Sequence, residues 1–263
     1  MKMWVDIYSP KTARDVIGQD TALSQLKSVV DKKGVALLYG PPGTGKTSSV
    51  YALAHDLGFE VLELNASDFR DEENIQRIVG GSLHQASLFH RGKIVLVDEL
   101  EGISGNEDRG GMSALNTLID LKTHAVVLIT DDPWDKKFST IRKKCALVEY
   151  KNIRIESIVK ILRHVCEKES LRCSEADLKT LARRSGGDVR AALMDLQTLC
   201  LGKKDLVREE IEILGEREQE QSVFTALQVV LKGKDGLKAM DAVDTLDLDM
   251  DEFFLWIDEN IGR

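Results

Sequence analysis

The stretch "LLYGPPGTGKTSSVYALA", residues 37–54, sets two prolines and three glycines between an apolar run and a helical pattern. Residues of that kind break regular structure, so the backbone itself must be what the segment provides. From Gly40 to Thr47 the residues fit G-x-x-x-x-G-K-[ST]. A strand before the loop and a helix after it are the context this motif needs. Gly43 and Gly45 let backbone N–H groups turn inward around a phosphate chain, and the following helix aims its N-terminus at the anion. Gly40, Pro41, Pro42, Gly43, Thr44, Gly45 and Ser48 then form the cradle. Lys46 sets an ammonium against the β- and γ-phosphates of such a chain, and Thr47 offers its hydroxyl to Mg²⁺.

A chain built on such a loop needs a carboxylate facing it. "IVLVDELEG" supplies four apolar residues that end in Asp98 and Glu99. At the end of a central strand, Asp98 is placed to hold magnesium, and Glu99 to polarise an attacking water. In "LITDDPW", Thr130 and Asp131 end another apolar run. They reach the γ-phosphate only if that strand lies beside the one preceding the loop; otherwise Asp-Asp-Pro simply starts a turn. In "SGGDVRAAL", Asp188 is an N-cap and Arg190 falls in the first helical turn. An arginine there opposes the helix dipole, which an anionic ligand or a surface salt bridge would offset.

The rest of the chain gives these motifs a scaffold. Apolar runs at 35–39, 59–64, 94–97, 125–130 and 145–150 alternate with helical patterns, the first from about Thr47 to Leu57. That alternation predicts an α/β fold, a parallel sheet with helices on both faces. After residue 151 the period turns helical: Ile155, Ile158, Val159, Leu162, Val165 and Cys166 share a face. "SEADLKTLARRSGG" begins with a capping signal and stops at Gly186 and Gly187. The expected organisation is a nucleotide-binding α/β domain over 1–150 and a small all-α domain over 151–210. A linker and further helices fill 211–263, where the apolar cluster Phe253 to Ile257 has little sequence after it to cover it.

Composition narrows the class. A net charge of −8 argues against a protein that coats nucleic acid by overall charge, though it leaves room for single arginines and helix N-termini. Arg77 and Arg109 lie near helix ends or loops where they could touch DNA phosphates, and solvated surface is the plainer reading of each. Gln85, Leu88 and Phe89 in "HQASLFH" read either as an exposed apolar hook for a partner protein or as core. The four cysteines, Cys145, Cys166, Cys173 and Cys200, form no CxxC pair and no zinc spacing, so reduced thiols are expected. "MKMWVDIYSP" lacks the apolar core of a signal peptide, and no run reaches the ~18 apolar residues of a membrane span. A soluble intracellular protein without membrane contact is expected.

"WVDIYSPKTARDVIGQDTALSQLK", "GPPGTGKTSS", "LELNASDFRDEENI", "VDELEGISGNEDRGG" and "SGGDVRAALMDLQ" occur in this order. Together they resemble the AAA+ ATPases of clamp loaders, most closely the archaeal replication factor C large subunits. "DEFFLWIDENI" resembles the start of that family's collar domain. The resemblance implies an AAA+ P-loop sheet followed by a helical lid, truncated within the collar. It implies an ATP- and Mg²⁺-dependent subunit of a heteropentamer with replication factor C small subunits, which opens a sliding clamp and loads it on primer–template DNA. The expected location is cytoplasmic or nucleoid-associated. By the same resemblance Val5, Tyr8, Pro10, Val16 and Ile17 line the adenine pocket, Asp131 is the first sensor and Arg190 the second. The segment holding Gln85, Leu88 and Phe89 would contact the clamp.

The chain departs from the family pattern at two positions. Asp131 stands where the family usually has Asn, and a carboxylate there repels the γ-phosphate, so weak hydrolysis by the isolated chain is expected. In "RKKC", Lys144 replaces the arginine that small subunits offer to a neighbour's ATP site. The alternatives are a nucleotide-binding scaffold that scarcely hydrolyses, and another DNA-acting AAA+ motor.

Overall fold

The computed structural model of the chain describes residues 2–65, 90–103, 109–206, 210, 211 and 230. A short helix α1 (Trp4–Ile7) and helix α2 (Asp20–Asp31) precede strand β1 (Val35–Tyr39). Helix α3 (Lys46–Leu57), β2 (Phe59–Asn65), β3 (Gly92–Asp98), α4 (Arg109–Asp120) and β4 (Ala125–Thr130) follow. Then come α5 (Ser139–Arg142), β5 (Ala146–Glu149), α6 (Ile155–Glu169), α7 (Glu175–Arg184) and α8 (Val189–Leu199). Up to α8 the elements match the sequence reading, with ends displaced by a residue or two: α3 starts at Lys46, and β3 extends to both sides of "IVLV". The further helices expected over 211–263, with the Phe253 to Ile257 cluster, lie outside the described residues but for 211 and 230.

The five strands form one parallel sheet in the order β2-β3-β4-β1-β5. Parallel strands need both faces covered, and the side chains divide accordingly. Ala36 and Leu38 of β1, Ile94 and Leu96 of β3, and Val127 and Ile129 of β4 pack with Leu26 and Val30 of α2 and Val50 and Leu53 of α3. Their alternates Leu37, Val95, Val97, Val126 and Leu128 face the other way, onto Leu115, Leu118 and Ile119 of α4 and onto Phe138 and Ile141. The period of two along each strand thus separates two apolar layers, which is why the runs lack polar alternation.

β4 lies directly beside β1, with Tyr39 opposite Thr130. The strand carrying Asp131 is therefore next to the strand that leads into the glycine-rich loop. β3 sits on the far side of β4 and carries Asp98 at its end. All these C-terminal ends meet on one edge of the sheet, where open α/β sheets bind ligands.

Helices α6, α7 and α8 pack around a separate apolar cluster built on Ile158, Leu162, Val165, Leu178, Leu181, Leu193 and Leu196. Ser174 caps α7 by accepting from the Asp177 N–H at 3.1 Å, and Asp188 caps α8 by accepting from the Ala191 N–H at 2.8 Å. Both caps match the sequence signals. Gly186 and Gly187 turn between the two helices with positive φ. No helix among the described residues is long and apolar enough to cross a membrane.

Candidate functional site

The glycine-rich loop leaves β1 at Tyr39, and two of its glycines are required by what lies against them. A Cβ on Gly40 would stand 2.0 Å from the Tyr150 carbonyl oxygen. One on Gly43 would stand 1.6 Å from the Asp188 carboxylate, and Gly43 also has a φ of 63°. The helical segment thus touches the loop, and the Val189 N–H donates to the Gly43 carbonyl at 3.1 Å. Thr44 Oγ1 donates back to the Pro41 carbonyl at 2.8 Å and holds the loop closed on itself.

Lys46 is buried at 8% exposure, and its ammonium is fully engaged. Nζ donates to the Gly40 carbonyl at 2.5 Å, to the Pro41 carbonyl at 3.0 Å and to Asp131 Oδ1 at 2.8 Å. The Asp131 side chain is two-thirds exposed. At the next position Thr47 Oγ1 donates to Asp98 Oδ2 at 2.8 Å. The other Asp98 oxygen accepts the Glu99 N–H at 2.8 Å. Glu99 has a left-handed backbone with φ of 53°. Such a conformation is costly for a residue with a Cβ and clusters at functional sites. It leaves Glu99 exposed at the cleft beside Asp98.

Glu101 was not singled out by sequence reasoning. Its Oε1 accepts from both the Thr130 hydroxyl and the Asp131 N–H. It fixes the end of β4 and therefore the backbone from which Asp131 reaches Lys46. The only sequence signal was its place in "DELEG", one helical-turn position past the strand.

These groups open onto one cleft of about 300 Å³ between the sheet edge and the helical segment. Its walls include Pro42 to Ser48, Asp98, Glu99, Asp131 and Arg190, and also Val5, Tyr8, Pro10, Val16 and Ile17. The sequence-predicted residues are therefore brought together, except that Gly40 and Pro41 contribute through carbonyls bonded to Lys46 rather than as walls. Ser9, Asp15, Ile153, Ile161, Val189 and Leu193 also line it; nothing beyond neighbourhood or apolar period marks them in the linear order.

Two buried glutamines hold the cleft together, and neither was foreseen. Gln19 is 4% exposed. Its Nε2 donates to the Thr44 carbonyl at 3.2 Å and the Lys151 carbonyl at 2.7 Å, and its Oε1 accepts the Lys151 N–H at 3.4 Å. It joins the glycine-rich loop to the connection between β5 and α6. Gln197 of α8 is 6% exposed; Oε1 accepts the Trp4 N–H at 2.9 Å and Nε2 donates to the Lys2 carbonyl at 3.3 Å. Tyr8 donates its hydroxyl to Glu169 at 2.6 Å, and burial together with that carboxylate pushes its pKa up to about 12. The N-terminal segment is thereby fastened to the helices and walls the cleft from that side.

The oxygen donors suit a hard cation. A hydroxyl and a carboxylate converge at Thr47 and Asp98, and Mg²⁺ uses few protein ligands when substrate phosphates supply others. Among the described residues no group of three or more His, Cys, Asp or Glu side chains forms an all-protein metal cage. Lys144 pairs with Asp120 at 2.8 Å within the chain. Arg77, Gln85, Leu88 and Phe89 lie outside the described residues, as does the side chain of Arg109, whose backbone begins α4.

The AAA family, "ATPase family associated with various cellular activities", matches residues 36–150, and the "RCF1/5-like, AAA+ ATPase lid domain" matches residues 160–201. The replication factor C large subunit of Nanoarchaeum equitans is 43% identical over 261 residues, which cover 97% of this chain and 60% of that one. That of Thermofilum pendens is 38% identical and covers 98% and 64%. That of Pyrobaculum calidifontis is 36% identical and covers 98% and 67%. The chain thus spans a little under two-thirds of the first two relatives. Among solved structures, the Thermotoga maritima RuvB Holliday junction branch migration motor superposes with a TM-score of 0.66 at 17% identity, covering 91% of this chain and 86% of that one. That likeness concerns the fold alone.

Proposed function

The chain belongs to the replication factor C large-subunit family of AAA ATPases, and from that premise we propose that it is an ATP-dependent clamp-loader subunit. It would act with replication factor C small subunits to open a sliding clamp and load it on primed DNA. The observation that carries the nucleotide chemistry is the convergence of Lys46, Thr47, Asp98, Glu99 and Arg190 on one cleft. We divide the chain as the sequence suggested: a nucleotide-binding domain over 1–150, a lid over 151–210, and the start of a collar over 211–263.

In this reading the loop N–H groups and the α3 N-terminus take the triphosphate. Val5, Tyr8, Pro10, Val16 and Ile17 take the adenine. Thr47 and Asp98 would hold Mg²⁺, which when bound offsets charge on the β- and γ-phosphates. Glu99 accepts a proton from the attacking water. Lys46 must leave Asp131 to meet the γ-phosphate, and Asp131 then faces that phosphate with like charge. Hydrolysis by the isolated chain should accordingly be weak. That ion pair also favours the second reading, a subunit that binds ATP mainly as scaffold. Arg190, on the lid, would meet the phosphates from the opposite side and draw the lid closed. Lys144, paired with Asp120, is unsuited to completing a neighbour's site. DNA contact through Arg77 and Arg109, and clamp contact through Gln85, Leu88 and Phe89, stay part of the proposal.

The test is to combine the chain with candidate small subunits, a ring-shaped clamp and primed DNA. An ATP-dependent complex by size exclusion, with DNA-stimulated turnover that falls about 100-fold in Glu99→Gln, is the expected result. Tight ATP binding that responds to neither clamp nor DNA would favour the scaffold.

A further inference from the structure

Three of the four cysteines, well separated in sequence, meet inside the helical segment. Cys166 comes from the last turns of α6, Cys173 from the connection to α7, and Cys200 from the end of α8. Cys166 Sγ and Cys173 Sγ are 2.9 Å apart, and Cys200 belongs to the same packed cluster, near enough to Cys173 for each thiol to shift the other. All three are free thiols, Cys166 and Cys200 buried and Cys173 half-buried. Cys145 lies elsewhere, in the apolar layer under α4.

We propose that Cys166 and Cys173 form a reversible intrachain disulfide, with Cys200 as the alternative partner of Cys173, and that this bond sets the stiffness of the helical segment. The backbone already holds the pair in register. The Leu171 N–H donates to the Cys166 carbonyl at 2.8 Å. The next residues are pinned by Arg172, which pairs with Asp205 through two bonds of 2.6 and 2.7 Å and exchanges backbone bonds with Lys204 and Leu206. The sulfurs lie within about 0.9 Å of a covalent separation, so bond formation asks for little backbone movement.

The chemistry balances with a small-molecule disulfide as oxidant. The Cys173 thiol loses its proton to solvent, its sulfur attacks one sulfur of that disulfide, and one small thiol leaves as thiolate. The Cys166 thiol, likewise deprotonated, attacks Cys173 Sγ and expels the second. Two protein thiols become one disulfide, the reagent becomes two thiols, and the released protons reprotonate them. Cys173 is the entry point because it is the most open of the three. The exchange is slow: burial raises the pKa of every thiol in the group, that of Cys200 to about 12. Asp177 and Asp205 beside Cys173, and Glu210 beside Cys200, disfavour the thiolate further. The same surroundings protect the bond once made, since reduction also needs a thiolate to approach. The consequence reaches the cleft, because Glu169 lies at the same end of α6 and holds Tyr8.

The chain is incubated with oxidised glutathione while folded, free thiols are capped with N-ethylmaleimide, and the digest is mapped by mass spectrometry. A Cys166–Cys173 peptide pair with Cys145 recovered capped is the expected result. Cys166→Ser should move the pairing to Cys173–Cys200, and Cys173→Ser should leave no intrachain disulfide. The oxidised chain should resist proteolysis across 160–201 longer than the reduced chain. Glutathione retained on Cys173 alone, four capped cysteines in folded protein, or bridges only between molecules would each overturn the proposal.

Discussion

Lys46 Nζ and Asp131 Oδ1 are 2.8 Å apart, so the loop lysine is neutralised by a carboxylate from the neighbouring strand. A γ-phosphate must compete with that carboxylate for the same ammonium. At ~5 Å and an effective dielectric of ~20, a carboxylate and a phosphate charge repel by about 3 kcal/mol. With Asp131 two-thirds exposed, screening reduces this to about 1 kcal/mol. Asp131→Asn should therefore bind ATP about fivefold more tightly and hydrolyse it faster, as read by calorimetry and steady-state turnover. Equal affinity in both proteins would mean that Asp131 swings clear when ATP binds.

Gln19 links loop and lid connection with one buried amide. Gln19→Leu keeps the volume but strips hydrogen bonds from the Thr44 and Lys151 carbonyls. The expected loss is about 2 kcal/mol, or roughly 5 °C in melting midpoint for a chain of this size. ATP should also protect the lid of this variant from proteolysis less than it protects the parent. A midpoint within a degree of the parent would show that water replaces the amide without cost.

Gln197 fastens the N-terminal segment to α8. Gln197→Ala should free that segment, so that proteases cut before residue 10 sooner. The cleft would lose a well-held wall at Val5 and Tyr8, and nucleotide affinity should fall by about tenfold, worth about 1.4 kcal/mol. Unchanged proteolysis with unchanged affinity would show that apolar packing of Trp4, Val5 and Tyr8 suffices.

Asp15 accepts from the Thr12 hydroxyl and N–H, both at 2.8 Å. Those bonds hold its carboxyl below the ordinary value of 3.8. The folded chain therefore favours the charged form. Its contribution is complete above the ordinary carboxylate range and disappears as pH falls through the lowered folded value. Melting midpoints measured down this acid range should drop less steeply for Asp15→Asn than for the parent, while differing little in slope at neutral pH. Parallel curves would rule out Asp15 as a source of acid sensitivity.

Local patterns were legible because they depend on near neighbours. "GPPGTGKT" between a strand and a helix, Ser174 and Asp188 as caps, and the unalternating apolar strands each state their geometry within a few residues. The acidic pair after "IVLV" was legible for the same reason. Gln19 and Gln197 were not, since an amide's value lies in which distant carbonyls it meets. Asp131 could be read as a departure from a familiar pattern, yet its bond to Lys46 could not.

The amino-acid sequence by itself determined the parallel α/β architecture, the phosphate-cradling loop and the carboxylates at the strand ends. Backbone conformation and apolar period are set over short spans of chain, and those spans are written out in order. Only the tertiary structure decided which side chains meet across it. By inserting β4 between β1 and β3 it put Asp131 onto Lys46, and by folding the helices back it brought Gln197 to the N-terminal segment and three thiols together. Such meetings depend on the packing of whole layers, which fixes distances between residues that the linear order leaves far apart.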